Sequence, residues 1–156
     1  MTRGQDLSPK SLFLGCFLAV LIIPPAAAQS PEAEIRAALT QWTSDFNAGH
    51  ADKVCDLFAP SLRADVRGAA ERDFDTQCQL LRKALADPEQ AYSEAFELKE
   101  VVTERDMAVV RLTWTTTTRV KATGQVSTTV DQGLDVFGKG SDGVWRIIRY
   151  MAYERP

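Results

Sequence analysis

His50 and Cys55 lie five residues apart in the segment FNAGHADKVCDLF, and His50 is the only histidine in the chain. A thiol and an imidazole so placed could form a nucleophile and its base. That chemistry also requires a third group to orient the base, and no such group is evident around His50. The competing reading makes His50 a solvated residue at a helix start and joins Cys55 to Cys78 in a disulfide; the third cysteine is Cys16. Two carboxylates are also candidates for chemistry. Asp65 lies between Arg63 and Arg67, and Asp135 lies in VDQGLDVF, ahead of a glycine-rich turn. The plain alternatives are a solvated ion pair for Asp65 and a turn or cross-strand hydrogen bond for Asp135. One histidine, two cysteines expected to be bonded and scattered carboxylates give no metal-ligand cluster. There is no phosphate-binding loop or serine-nucleophile motif, so neither metal nor cofactor is expected.

The N-terminus decides between thiol and disulfide. Arg3 and Lys10 precede the apolar run LFLGCFLAVLII, and PPAAAQS follows with small residues at Ala26 and Ala28. This is the three-part pattern of a secretory signal peptide cleaved after Ala28, giving residues 1–28 as signal peptide and 29–156 as one domain. The run falls short of the about 20 residues of a membrane span; an uncleaved anchor, or a lipoprotein modified at Cys16, is the alternative. Cleavage removes Cys16 and leaves an even pair, Cys55 and Cys78, in a periplasmic or secreted protein. That compartment and count favour the disulfide. Cleavage also removes Arg3, Lys10 and Asp6, which moves the net charge from −3 to −4. Mild acidity argues against nucleic acid and anionic membranes as partners.

The elements that must position these residues follow from periodicity. Ser30 and Pro31 form an N-cap and a first helical residue, and Ile35, Leu39, Trp42 and Phe46 make one apolar helical stripe. Gly49 closes that helix. HADKVCDLFAP is expected as a short second helix with Ala51, Val54, Leu57 and Phe58 inward, APSLRADVRGAA as a loop, and ERDFDTQCQLLRKALAD as a third helix with Phe74, Cys78, Leu81 and Leu85 on one side. After Pro88 the chain becomes β-rich. Four strands are expected: AYSEAFELKEVV, MAVVRLTWTTTTRV, VSTTVDQGLDVF and VWRIIRYMAYE. Three N-terminal helices followed by a four-stranded antiparallel meander define an α+β class, with the curved sheet packed around the first helix. Val109, Arg111, Thr113 and Thr115 would face away from the helices, a surface suited to a homodimer.

IRAALTQWTSDFNAGHADKVCDLFAP resembles the opening helices of the nuclear transport factor 2-like superfamily, and LDVFGKGSDGVWRIIRYMAYE resembles its closing hairpin. The resemblance implies a cone-shaped α+β barrel with an apolar pocket at its open end, and frequent homodimers. Members include ketosteroid isomerases, SnoaL-like cyclases, scytalone dehydratase and non-catalytic binding or association domains. The isomerase chemistry needs a carboxylate base and two donors, a tyrosine and a protonated acid. By this likeness Trp42 stands at the tyrosine position, Asp65 within one residue of the base and Asp135 at the acid. The leading expectation is therefore an exported domain that binds a small apolar or amphipathic molecule. Its pocket candidates are Trp42, Phe46, Phe58, Phe74, Phe96, Asp135, Ile148 and Tyr150, each of which could instead be core. A cofactor-free isomerase, dehydratase or cyclase using Asp65 and Asp135 is the second reading, and a homodimeric association domain the third.

Overall fold

The computed structural model describes Met1 and residues 29–154; the signal-peptide reading and its cleavage site concern a segment outside the described residues. Helix α1 (Pro31–Asn47) starts at Ser30, whose Oγ accepts the Ala33 amide at 3.2 Å. Its buried stripe is Ile35, Leu39, Trp42 and Phe46. Helix α2 (Phe74–Leu85) starts at Asp73, whose carboxylate accepts the Thr76 amide at 2.9 Å. The six strands are β1 (Phe58–Val66), β2 (Arg72–Asp73), β3 (Gln90–Glu104), β4 (Met107–Val120), β5 (Val126–Lys139) and β6 (Trp145–Glu154). They form one sheet in the order β2-β1-β6-β5-β4-β3, antiparallel throughout except that β1 runs parallel to β6.

The β-rich half follows the expected strands closely, whereas the helical half departs from expectation. Among the described residues there are two helices rather than three, and the sheet has six strands, is mixed, and does not close into a barrel. Residues 51–57 are successive tight turns, in which Lys53, Asp56 and Phe58 donate to carbonyls three residues back. Their bonds reach three residues back and do not propagate as an α-helix; Val54, Leu57 and Phe58 are still buried, whereas Ala51 is exposed. The expected loop is β1: Leu62 and Ala64 are buried while Ser61, Arg63 and Asp65 between and beside them are exposed. That alternation is the mark of a strand with one covered face.

Cys55, in the turns, and Cys78, on the buried side of α2, are joined in a disulfide with Cα atoms 5.5 Å apart, a normal bridging separation. Cys55 is thus no nucleophile in this structure. His50 is exposed and pairs through Nδ1 with Asp45 Oδ1 at 3.0 Å. The core is the layer between α1 and the concave sheet face, centred on Ile35, Leu39, Leu62, Val110, Leu112 and Phe137. Glu34 ties the helix to the sheet, accepting hydrogen bonds from Lys139 Nζ and Trp145 Nε1, both at 2.7 Å. On the convex face Val109 and Arg111 are exposed, but Thr113 is buried, with the Gln132 amide donating to its hydroxyl at 3.4 Å.

Candidate functional site

The concave face does not fill completely. Between it and the helices lies a cavity of about 320 Å³, at the lower end of the about 300–1,000 Å³ of small-molecule sites. Four aromatic side chains form much of its wall: Trp42 from α1, Phe58 from the start of β1, Trp114 from β4 and Tyr150 from β6. Trp42 and Trp114 meet edge to face with ring centroids 5.3 Å apart. The Trp42 indole N–H donates to the Val54 carbonyl at 2.8 Å. It therefore fixes the turns after α1 and is not a free donor toward a bound molecule.

The polar lining comes from strand alternation. On β5 the inward positions are Asp131, Gly133 and Asp135, which opposes Val110 on β4 and Tyr150 on β6. Asp135 is 3 % exposed, and its Oδ2 has no hydrogen-bond partner. Burial pushes its carboxyl up to about 8, so it is a neutral acid with an O–H to donate at neutral pH. Gly133 has little room for a side chain: a Cβ there would lie 3.1 Å from Leu112 Cδ2 and 3.6 Å from Asp135 Oδ1.

At the other end of the cavity Glu94, on β3, accepts the Thr116 hydroxyl at 2.9 and 3.1 Å through its two oxygens. Burial raises Glu94 to about 7, with the Thr116 bond pulling it down and nearby Asp131 pushing it up. Asp131 is raised by burial and then by Glu154. Between the two ends, Gln77 Oε1 accepts from Tyr150 Oη at 2.9 Å and from Arg72 Nη1 at 3.3 Å. Burial also raises Tyr150, against the opposing pull of Arg72.

Among the expected pocket residues, Trp42, Phe58, Asp135 and Tyr150 line the cavity. Phe46 lies behind Trp42, its ring stacked at 5.4 Å, and Phe96 lies behind Trp114 at 5.6 Å. Phe74 packs against the edge of the core and does not line the cavity. Ile147 takes the place expected for Ile148, because the β5–β6 register slips between Val136 and Phe137. Counting back by twos from Tyr150 crosses that bulge and arrives one residue out of phase. Asp65 is exposed on β1 and lines no part of the cavity. Its neighbours Leu62, Ala64 and Val66 take the inward positions, and Arg63 pairs instead with Glu71 at 3.4 Å.

Glu94, Trp114, Thr116 and Asp131 are lining residues that sequence reasoning did not single out. The signal for Glu94 was present: in AYSEAFEL it shares a strand face with Tyr92, Phe96 and Leu98, and a charge at an inward strand position calls for explanation. Among the described residues no three histidine, cysteine, aspartate or glutamate side chains form a metal-binding group.

A helix laid across a concave, mostly antiparallel sheet, with an aromatic cavity and a buried acid between them, defines a class of α+β pocket proteins. The SnoaL-like domain family matches residues 39–150, and the chain belongs to it. A solved ketosteroid isomerase-like protein from Erwinia carotovora atroseptica is 26% identical, aligned over 80% of this chain and 95% of its own, with a TM-score of 0.65. A scytalone dehydratase-like protein from Novosphingobium aromaticivorans is 14% identical over 80% of this chain and 84% of its own, with a TM-score of 0.70. A protein from Catenulispora acidiphila solved in complex with S-DNPA is 13% identical over 79% and 92%, with a TM-score of 0.65. No curated protein matches the chain.

Proposed function

We propose that this chain is an exported protein whose cavity binds a small, largely apolar molecule carrying one hydrogen-bond acceptor, held by Asp135. The carrying observation is the buried, unpartnered Oδ2 of Asp135 beside the cavity. A buried polar atom without a partner costs about 1–3 kcal/mol, which a carbonyl or hydroxyl on the ligand would recover. The aromatic wall supplies the apolar contact. Export is supported by the N-terminal sequence pattern, with which the disulfide is compatible. A homodimer through the convex sheet face belongs to the same reading.

The test is titration with 2-tetralone and with tetralin, which has the same ring system without the oxygen, followed by the fluorescence of Trp42 and Trp114. The ketone should bind about tenfold tighter, the worth of one net hydrogen bond. Asp135→Ala should erase the difference. Equal binding of the two compounds, unaffected by Asp135→Ala, would remove Asp135 from the site.

One observation favours a second reading, cofactor-free proton transfer. Glu94, raised to about 7, has the proton affinity suited to a general base at neutral pH, and it shares the cavity with the neutral acid Asp135. In that reading Glu94 takes the role expected of Asp65. Exchange of the α-protons of 2-tetralone in deuterated water, followed by NMR, distinguishes the two. Exchange that is abolished by Glu94→Gln supports an enzyme; exchange at the solvent rate leaves a binding protein.

A further inference from the structure

The cavity lining is unbalanced in charge. Three carboxylic acids face it, Glu94, Asp131 and Asp135, against one guanidinium, Arg72, which is hydrogen-bonded to Gln77. None of the three acids has an ion-pair partner among the described residues. They occupy two levels. Asp131 and Asp135 are four positions apart on β5, or about 13 Å along the strand, so Asp135 is the floor and Asp131 the rim. Glu94 belongs to the rim through its pairing with Thr116, one step of the pleat from the Trp114–Asp131 pair. Trp114 thus has Asp131 directly opposite it and Glu94 on the diagonal, close enough for long side chains to meet.

A wholly neutral ligand can meet Asp135 at the floor but leaves this rim uncompensated. It would strip more water from Glu94 and Asp131 without replacing it, and burial disfavours the ionised form of each. The unpartnered Asp135 at the floor independently indicates a bound molecule with a polar atom of its own. Aromatic rings beside carboxylates are the surroundings that recognise organic ammonium groups, by attraction to the ring face and to the negative charge together.

Resting on the reading of this cavity as a small-molecule site, we propose that its ligand is an amphipathic organic cation, with an ammonium group at the rim between Glu94 and Asp131 beside Trp114 and an uncharged body reaching toward Asp135. A permanently charged ammonium ion should bind best when the rim is ionised. Facing Glu94 are the Thr116 hydroxyl from β4 and Asp131 from β5, which is itself faced by Glu154 from β6; Asp135 from β5, Tyr150 from β6 and Arg72 from β2 line the same cavity. From α1 the Asn47 side chain bonds only the Glu94 backbone, and from α2 the cavity receives Gln77 and Leu81. Protonation of Glu94 and Asp131 on acidification therefore leaves the rim less able to hold a cation.

The experiment compares benzyltrimethylammonium with neopentylbenzene, its neutral carbon isostere, by calorimetry and tryptophan fluorescence. At about pH 8 the cation should bind roughly tenfold tighter than the isostere, and at about pH 5 that preference should fall several-fold. Glu94→Gln with Asp131→Asn should abolish the preference, by weakening the binding of benzyltrimethylammonium. Should that double variant fail to fold, the wild-type pH profile and Asp131→Asn alone give the same decision. Equal binding of the two probes, or a preference indifferent to both pH and Asp131→Asn, would overturn the cationic ligand and leave the cavity as a site for neutral molecules. Binding of neither probe would remove the small-molecule reading as well.

Discussion

Asp135 stays protonated in the folded protein up to about pH 8 because it is buried, whereas in the unfolded chain it ionises in the ordinary carboxylate range. Its folded affinity for the proton is raised, so the stability it contributes is full below that ordinary range and is lost as pH rises toward about 8. Glu94 acts in the same direction, with its loss complete near about 7. Asp135→Asn keeps the shape and a donor but removes the titration. Thermal unfolding should find the variant more stable than wild type at about pH 8, by an amount on the order of a few kcal/mol, with the difference vanishing near pH 4. Gly133→Ala tests the approach to the same acid. Its new methyl group meets Leu112 and screens Asp135 Oδ1, so affinity for 2-tetralone should fall while stability drops by only about 1 kcal/mol. Of these site residues, Asp135 and Trp42 were legible from the sequence, and Glu94 was equally legible in principle from its inward phase on β3. Ile148 was not, because a bulge in strand pairing leaves no composition mark that would betray the shift to Ile147.

At the scale of the element, the disulfide joins the turns at residues 51–57 to α2, across a sequence separation of 23. In the chain-entropy view such a link contributes about 3 kcal/mol. Cys78→Ser should lower the unfolding free energy by about that amount, and thiol titration of the denatured, unreduced 29–156 chain should find no free sulfhydryl. The bond also holds Leu57 and Phe58, both cavity-lining, against the end that carries Gln77, so reduction should weaken ligand binding before the protein unfolds. The elements themselves were unevenly legible. The long strands β3 to β6 advertise themselves through alternation and through the turns at Gly124 and Gly143, where φ is +72° and +76°. α1 does so through its cap and stripe. β1 does not, because Pro60, Arg63, Asp65 and Arg67 give the segment the composition of a loop. Its pairing is fixed by β6, more than eighty residues away, and no local pattern reports such a partner.

For the whole molecule, the convex sheet face has apolar side chains open to solvent. Val102 and Met151 are each 58 % exposed, and Leu134 and Tyr153 lie near Met151 in the register. Such a patch, crossed by Arg111 and its partner Glu100 at 3.0 Å, should place two copies face to face. Sedimentation at micromolar concentration should find a dimer, and Leu134→Asp should convert it to a folded monomer; a monomeric wild type would refute the interface. Under the proposed export, intact-mass measurement should give a chain beginning at Gln29. The strand order also has a consequence in time. β1 pairs along one edge with the two-residue β2 and along the other with β6, the last of the described strands. During synthesis β1 therefore has no lasting neighbour until β6 has left the ribosome, and the loop that must close to join them is long. The sheet is therefore completed only when β6 docks beside β1, so its oldest and youngest strands set together.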